Sequence, residues 1–226
     1  MSIVMVIVAH PDDEILGCGG TIAKHISEGD AVNILIMSDG VTSRKNHENE
    51  IKIEILRRKQ SALRATQLLK CNEPSFFNFP DNSFDSVPML NVVQSIESIL
   101  LKVKPDIVYT HFAGDLNIDH AITNRAVITA CRPQPGSYVK RIFSFEVMSS
   151  TDWHQKSIIN PFSPNYFVDI TDYLMLKIEA LRAYEQEMRD YPHSRSYAAI
   201  RALAEYRGAS VGISAAEGLY VERIIA

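Results

Sequence analysis

The sequence predicts an α/β fold that is Rossmann-like, with a mainly parallel sheet and helices on both of its faces. Two observations lead to this class. Short apolar runs rich in β-branched residues recur along the chain, and segments with apolar residues at helical spacing separate them. Because the runs are apolar throughout rather than alternating, they indicate strands that are buried on both faces, as in parallel sheets.

The individual elements follow in chain order. Residues 2–9 form the first apolar run, similar runs at 31–37, 76–79 and 106–109 predict three further strands, and 141–148 is a longer candidate. The helices predicted between the strands cover residues 16–27, 50–70, 93–103 and 120–130. The second of these helices repeats Ile51, Ile55, Leu63 and Leu68 between charged residues. This alternation predicts βαβ units.

The C-terminal part of the chain is predicted to cover the same core. Residues 157–165 contain two prolines and are typical of a loop, and residues 166–170 predict a short strand. Two helices are then expected over 172–189 and 197–206, separated by Tyr191-Pro192-His193. The chain shows neither an internal repeat nor a low-complexity linker, so we expect residues 1–226 to form a single domain.

Composition excludes several classes of protein. The 226 residues carry 23 Lys and Arg against 27 Asp and Glu, and this net charge of −4 argues against a nucleic-acid partner. No apolar run approaches the roughly 20 residues that a membrane helix needs, so membrane insertion is not expected. The three cysteines favour reduced thiols in a cytoplasmic protein, and the first apolar run lacks the preceding basic region of a signal peptide.

Two loops that follow predicted strands are rich in metal-ligating residues. The first contains His10, Asp12, Asp13 and Glu14, and the second runs from His111 to His120. The carboxyl ends of parallel strands meet at one edge of a sheet, so these side chains are expected to converge. Two histidines and a carboxylate leave a fourth position open for water on a hydrolytic zinc ion. Taken alone, each motif has a structural explanation, because carboxylates commonly cap helix N-termini.

The first motif also resembles a known family. The hexapeptide Ala9-His10-Pro11-Asp12-Asp13-Glu14, followed by Gly17, Gly19 and Gly20, is similar to the signature of the PIG-L/LmbE family of zinc-dependent N-acetyl-sugar deacetylases. Further similarities lie at Ser38-Asp39-Gly40, Arg57 or Arg58, Pro80-Asp81, Asn117-Ile118-Asp119-His120, 206–208 and 215–218. The resemblance therefore extends over almost the whole chain.

The resemblance implies roles for individual residues. His10, Asp13 and His120 would hold one Zn²⁺ per chain, and Asp12 would be the general base. Asp119 would orient a histidine through its ring N–H, or cap the following helix. Adjacent carboxylates in an extended turn point in different directions, which lets one ligate the metal while the other faces the water.

One position departs from the family pattern. Many members have a histidine for oxyanion stabilisation three residues before the second metal-binding histidine, where this chain has Asn117. An amide can donate a hydrogen bond but carries no charge. Either Asn117 fulfils a weaker version of this role or another group does, and His111 and His193 are candidates. For His111, loop packing is an equal alternative.

The resemblance also implies substrate contacts. Asp81 and one of the two arginines Arg57 and Arg58 lie where the family binds sugar hydroxyls. Arg44 and Arg195 are candidates to bind a phosphate or carboxylate of the substrate. Solvation of the arginines and turn formation by Asp81 are the structural alternatives. Possible sugar-stacking aromatics, for which core packing is the alternative, are Trp153, Tyr191 and Phe112.

The function expected from the sequence is hydrolytic, zinc-dependent deacetylation of an N-acetylated amino sugar of the N-acetylglucosamine type, possibly linked to a nucleotide or glycan. The alternatives are a catalytically weak or inactive metal-binding member of the same fold, and a hydrolase of another amide or ester. Gly17-Cys18-Gly19-Gly20 lacks the GxGxxG spacing of a dinucleotide site, and no GxSxG motif of a serine hydrolase occurs. Association of copies through exposed apolar helices is a further possibility.

Overall fold

The computed structural model describes residues 1–43, 48–155 and 160–226. Arg44, one of the arginines considered for substrate binding, lies outside the described residues. The strands are β1 (Ile3–Val8), β2 (Ala31–Ser38), β3 (Ser75–Phe79), β4 (Ile107–His111), β5 (Arg141–Phe145), β6 (Tyr166–Asp169) and β7 (Ala216–Ile224). The α-helices are α1 (Asp13–Ser27), α2 (Glu48–Leu69), α3 (Met89–Val103), α4 (Ile118–Ala130), α5 (Leu174–Leu181) and α6 (Tyr197–Ala209).

The described strands form one seven-stranded sheet with the order β3-β2-β1-β4-β5-β7-β6. Strands β1 to β5 pair in parallel, whereas β7 pairs antiparallel with both β5 and β6. The predicted fold class, with a mainly parallel sheet, is therefore confirmed. That residues 1–226 form a single domain stays a prediction.

Helices cover both faces of this sheet, as the sequence predicts. Along β1, Val4, Val6 and Val8 pack on one face, against buried residues of α1, α2, α5 and α6. Met5 and Ile7 point to the other face and pack with buried residues of α3 and α4. The continuous apolar run of β1 is thus explained, because alternate residues serve two separate cores.

Some predicted elements differ in extent or were missed. The candidate strand over 141–148 ends at Phe145, and the helix expected over 172–189 ends at Leu181 and continues as a 3₁₀ segment, Arg182–Glu187. The segment is interrupted at Tyr184, whose backbone is not helical. Strand β7 was not predicted, because its sequence, AEGLYVERI, does not keep the continuous apolar pattern of β1.

The glycine cluster of α1 serves packing. A Cβ atom on Gly17 would lie 2.1 Å from Phe145 Cδ2, and one on Gly20 would lie 2.7 Å from Ile170 Cγ2. The helix is also interrupted at Cys18, where φ and ψ are −144° and 28°. Close approach of backbone to side chains therefore explains these glycines.

The interruption of α1 leaves two backbone N–H groups free to bind Glu217 of β7. Gly20 donates to Oε1 at 2.9 Å and Thr21 donates to Oε2 at 2.6 Å. Lys177 of α5 completes this buried cluster with a 2.6 Å contact to Oε1. Within the described ranges, none of the helices has the length and apolarity needed to cross a membrane.

Candidate active site

The two ligand-rich motifs meet because their strands are neighbours. β1 ends at Val8 and β4 ends at His111, and the two strands pair in parallel in the middle of the sheet. Asp13 begins α1 directly after the first motif, and His120 lies in the first turn of α4. The site therefore lies at the carboxyl edge of the sheet, where parallel sheets bind ligands.

Three ligand atoms form a small triangle at this edge. Nδ1 of His10 lies 3.3 Å from Oδ2 of Asp13 and 3.3 Å from Nε2 of His120, and Asp13 Oδ2 lies 3.2 Å from His120 Nε2. All three residues are buried. Tetrahedral coordination at zinc–ligand distances of about 2.0–2.1 Å places neighbouring ligands about 3.3–3.4 Å apart. The donor set and its spacing fit one divalent cation.

Each histidine of the triangle has a carboxylate at its other ring nitrogen. His10 Nε2 lies 3.0 Å from Asp119 Oδ2, and His120 Nδ1 lies 3.3 Å from Asp115 Oδ1. Asp119 is itself fixed, because its two oxygens accept the backbone N–H groups of Asn82 and Phe84 at 2.6 and 3.0 Å. Such carboxylates orient metal-binding imidazoles and set their tautomer.

A second possible metal group shares His10 but is less suited to an ion. It combines His10 with Asp81 and Asp119. The oxygens of Asp119 already accept two backbone hydrogen bonds. We therefore assign the cation to the group His10, Asp13 and His120.

The electrostatics of the triangle favour a cation. Burial lowers the pKa of His10, but hydrogen bonds with Asp119 and Asp13 outweigh it and hold the pKa well above its ordinary value. Burial likewise opposes the charge of His120, whereas Asp13 and Asp115 raise its pKa to about 9. The carboxylates that hold protons on these imidazoles would equally stabilise a metal ion, which displaces such protons on binding.

Asp12 lies beside the triangle in a constrained conformation. Its φ of 112° is unusual for a residue other than glycine, and its backbone N–H donates to Glu14 Oε2 at 3.0 Å. Oδ2 accepts from Arg195 Nη1 at 3.1 Å and from Arg58 Nη1 at 3.5 Å. Burial raises the pKa of Asp12, and the charges of Arg195 and Arg58 oppose that rise. Asp12 lines a cavity, and among the described residues no hydrogen-bond donor to its Oδ1 is found.

These groups line a cavity of about 520 Å³. Its inner wall contains the triangle and Asp12, and Asp81, Asn82 and Asn117 add polar groups. The volume lies within the usual range for small-molecule sites.

Comparison with known proteins then identifies the family. The model of the PIG-L family, described as GlcNAc-PI de-N-acetylase, matches residues 5–131, which is more than half of the chain and includes both motifs. The chain belongs to the PIG-L family. As a member of this family it is an enzyme, a hydrolase of the deacetylase type.

Individual relatives agree with this assignment. The chain is 26% identical over 226 residues to diacetylchitobiose deacetylase of Thermococcus kodakarensis, covering 96% of this chain and 81% of that protein. The solved N,N'-diacetylchitobiose deacetylase of Pyrococcus horikoshii has the same fold, with a TM-score of 0.79, 23% identity and coverage of 98% and 84%. GalB of Pseudomonas putida, a 4-carboxy-2-hydroxymuconate hydratase, also has this fold, with a TM-score of 0.77, 21% identity and coverage of 100% and 98%.

The two adjacent arginines of the PIG-L pattern have different surroundings. Arg58 is buried, lines the cavity, and donates to Gly40 O at 3.1 Å as well as contacting Asp12. Arg57 is exposed and pairs with Glu54 at 3.4 Å, away from the cavity. Arg58, and not Arg57, is therefore the candidate arginine of the site. The two differ because successive residues of a helix face different directions.

Asp81 and Asn117 both line the cavity, as expected for site residues of this family. Oδ2 of Asp81 accepts from Ser43 Oγ at 2.5 Å. Burial alone would raise the pKa of Asp81, but hydrogen bonds with His10 and Ser43 lower it to about 2. Asn117 caps α4, since Oδ1 accepts the N–H of Asp119 at 2.9 Å.

The two histidines considered for substrate or oxyanion contact lie behind the cavity wall. His111 is fully buried, accepts the N–H of Ala9 on Nε2 at 2.9 Å, and stacks on His120 with ring centroids 3.9 Å apart. Burial lowers the pKa of His111 to about 3, so the ring is neutral. His193 packs against Trp153 with centroids 5.5 Å apart. Neither ring belongs to the described lining of the cavity.

The remaining candidates for substrate contact differ in whether they line the cavity. Arg195 and Trp153 line the cavity. Tyr191 is 74% exposed and lies outside the described lining, and Phe112 packs on Phe162 with centroids 5.2 Å apart. Both aromatic residues therefore have no contact with the site.

Three further residues contribute to the site although the sequence pattern gives them no individual role. Asp115 orients His120, Asn82 donates its N–H to Asp119, and Glu187 contacts Arg58 Nη1 at 3.3 Å within the cavity wall. For Asp115 the sequence does contain a signal, because the residue lies in the ligand-rich loop from His111 to His120. Glu187 follows the PIG-L match region, and its sequence neighbourhood carries no motif.

Proposed function

We propose that this protein hydrolyses the N-acetyl group of an N-acetylated amino sugar and that it uses Zn²⁺ to do so. The observation that carries the proposal is that the triangle of His10, Asp13 and His120 and the carboxylate of Asp12 line one cavity. The relatives named as diacetylchitobiose deacetylases support an N-acetylated amino sugar as the substrate class.

Zinc suits this donor set. Two imidazoles and one carboxylate, with room for a fourth ligand, are typical of hydrolytic zinc sites. When bound, the ion supplies Lewis acidity, which makes water nucleophilic near neutral pH and polarises a carbonyl group. His10 would bind through Nδ1 and His120 through Nε2, because Asp119 and Asp115 occupy the other ring nitrogens.

Asp12 is the general base of the proposed reaction. Its carboxylate accepts the proton of the attacking water and later delivers it to the sugar nitrogen, as the bond between that nitrogen and the acetyl carbon breaks. Oδ2 is held by Arg195 and Arg58, so the carboxylate keeps one oxygen directed to the reacting water. Burial raises the pKa of Asp12, which makes it a stronger base than an exposed carboxylate.

Asn117 is the proposed donor to the developing oxyanion. Its Oδ1 is used in the cap of α4, and one N–H of Nδ2 donates to Asn82 Oδ1 at 3.2 Å. The second N–H of this amide remains available on a residue that lines the cavity. His111 and His193 lie farther back, which favours Asn117 among the three candidates.

Polar residues that line the cavity would hold the sugar. Asp81 can accept hydrogen bonds from sugar hydroxyls and Arg58 can donate to them. Hydrogen bonds from several fixed groups orient a hexose more precisely than a single contact does. The structural resemblance to GalB is the reason to test other substrates, since the same fold carries a hydratase.

The test is release of acetate from N-acetylglucosamine and N,N'-diacetylchitobiose. The chelated protein should be inactive and added Zn²⁺ should restore activity, with about one Zn²⁺ bound per chain by metal analysis. A His120→Ala variant, which lacks one of the three proposed zinc-binding side chains, serves as the control. Acetate release that survives chelation would refute the zinc proposal. No release from either sugar by the zinc-loaded protein would refute the substrate class and favour an inactive member or a hydrolase of another amide or ester.

A further inference from the structure

Large apolar side chains make up part of the exposed lining of the catalytic cavity, beside the polar residues Ser43 and Asn82. Among the residues that line it, Leu116 is 55% exposed, Ile118 is 43% exposed and Trp153 is 52% exposed. We call these three residues the apolar rim. Single exposed apolar residues are common on protein surfaces, but three large ones around one cavity indicate a surface that binds something.

The rim is built by two segments that are held together. Leu116 and Ile118 belong to the stretch that leads into α4, and Trp153 ends a 3₁₀ turn, Thr151–Trp153. Asp115 joins them, because it accepts hydrogen bonds from Ser150 Oγ and, at 2.5 Å, from Thr151 Oγ1. Hydrogen bonds to Asp115, the residue that also orients His120, thus hold the two segments of the rim together.

The Trp153 ring is supported from behind. The ring of His193 packs edge-on against it at 73°, and His193 Nδ1 accepts the N–H of Arg195 at 3.0 Å. A supported indole can present a defined surface to a ligand, and little conformational entropy is then lost on binding. This contact also gives His193 a role near the cavity without direct contact to the substrate.

Most of the rim offers a sugar hydroxyl no hydrogen bond. Leu116 and Ile118 have no polar side-chain atoms, whereas Asp12, Asp81 and Arg58 line the same cavity and are buried. An N-acetyl sugar bound with its acetamide at the metal triangle would place its polar groups against the deeper wall. The part of the substrate that emerges from the cavity would then meet the apolar rim.

We propose that the apolar rim is a subsite for an apolar aglycone carried by the N-acetylated amino sugar. The occupant is a hydrocarbon group on the sugar, and its burial against Leu116, Ile118 and Trp153 adds binding energy that a free sugar lacks. This inference rests on the proposed function, because it assumes that the sugar is deacetylated in the same cavity.

The kinetic test compares two substrates that differ only in the aglycone. Acetate release by the zinc-loaded protein is measured with hexyl and methyl glycosides of N-acetylglucosamine, below the concentration at which the hexyl compound forms micelles. We expect kcat/KM to be about 10- to 100-fold higher for the hexyl glycoside, from the apolar surface buried. In Leu116→Ser and Ile118→Ser this ratio should fall toward one. Leu90→Ser, at a residue that is 63% exposed outside the cavity, should keep the wild-type ratio.

Binding can be observed separately from catalysis. Trp153 is the only tryptophan of the chain, so its fluorescence reports on the rim alone. The hexyl glycoside should shift the emission to shorter wavelength in a saturable manner, and the methyl glycoside should not. Leu116→Ser should weaken this titration, whereas Leu90→Ser should not.

The outcomes separate the two proposals. Equal kcat/KM for both glycosides, or a preference that survives in Leu116→Ser and Ile118→Ser, would overturn the aglycone subsite while the deacetylase proposal stands. Hydrolysis of neither glycoside, together with no fluorescence titration, would overturn both. A dimer that buries Trp153, seen by light scattering and by loss of fluorescence quenching by acrylamide, would assign the rim to a second copy of the chain and refute the subsite.

Discussion

Asp12 has a backbone conformation that few side chains tolerate. Its φ of 112° is typical of glycine, and such a residue costs about 1–3 kcal/mol unless its surroundings enforce it. Here its N–H donates to Glu14, and its carbonyl accepts from Ile15 and Leu16 at 3.1 and 2.9 Å. The strain is therefore maintained by the start of α1. It allows Asp12 and Asp13 to face different parts of the site.

Replacing Asp12 by Asn tests its role as the base. Asn tolerates positive φ better than most residues and keeps the shape, but it cannot take a proton. We expect turnover to fall about 10²- to 10⁴-fold while zinc content stays at the wild-type level. Acetate release and metal analysis measure the two effects. Asp172→Asn, at an exposed acidic residue, is the matched control, and activity near wild type in Asp12→Asn would remove Asp12 from the mechanism.

Arg58 and Arg57 are adjacent in the sequence, but their burial and their ion pairs differ. Arg58 is buried between Asp12 and Glu187, whereas Arg57 makes a surface ion pair of the kind worth about 0–1 kcal/mol. Arg58→Gln should lower kcat/KM at least about tenfold, since a charged hydrogen bond contributes roughly 1.5–3 kcal/mol. Arg57→Gln should change it little. Circular dichroism checks that both variants fold, and equal effects would show that Arg58 has no special role.

At the level of elements, Asn117 caps α4 and is also the proposed oxyanion donor. Its Oδ1 accepts in the cap, and the residue lines the cavity. Ser caps helices as well as Asn does but lacks the amide, so Asn117→Ser separates the functions. We expect a lower kcat with unchanged stability in Asn117→Ser. In Asn117→Ala we expect the same kcat loss and about 1 kcal/mol of destabilisation. A wild-type kcat in Asn117→Ser would show that the amide does not stabilise the oxyanion.

The packing of α1 on the end of β5 requires Gly17. A methyl group there would lie 2.1 Å from Phe145 Cδ2, which is far inside contact distance. Gly17→Ala should lower the free energy of unfolding by about 1–3 kcal/mol, as overpacked cores do. Denaturant titration measures the loss. The double variant with Phe145→Leu should recover part of it, and additive losses would indicate that the two residues do not interfere.

Across the whole molecule, Glu217 connects elements that are far apart in the sequence. Its carboxylate binds Gly20, Thr21 and Lys177, and so ties β7 to α1 and α5. The cluster lies beneath the helix that begins at the metal ligands. Stability of the C-terminal layer and placement of the catalytic motif are therefore linked through one buried side chain.

Glu217→Gln tests this connection. The substitution keeps the size of the side chain but leaves the buried ammonium of Lys177 without a counter-charge. Breaking one partner of a buried pair typically costs about 3–5 kcal/mol, and we expect a loss of that order in denaturant titrations. Lys177→Met combined with Glu217→Gln should recover much of it. A loss below about 1 kcal/mol in the single variant would contradict a structural role.

Much of the fold could be predicted because its elements have local causes. Strands β1 to β5 and helices α1 to α4 are each specified by a short apolar pattern, and all appear close to the expected positions. Strand β7 could not be predicted in this way, because its sequence has no continuous apolar run and its place in the sheet depends on its antiparallel pairing with β5 and β6. The 3₁₀ segment after α5 was likewise hidden, since a helical pattern does not distinguish 3₁₀ from α geometry.

The kinds of candidate metal ligand, their order and their place after two parallel strands can be read from the sequence, because those properties are local. Folding establishes that Arg58 rather than Arg57 reaches Asp12 and that Asp115 and Asp119 contact the histidines. It also leaves His111 and His193 outside the described lining of the cavity. The apolar rim is also a product of folding. These features depend on distances between residues far apart in the chain, which no local pattern records.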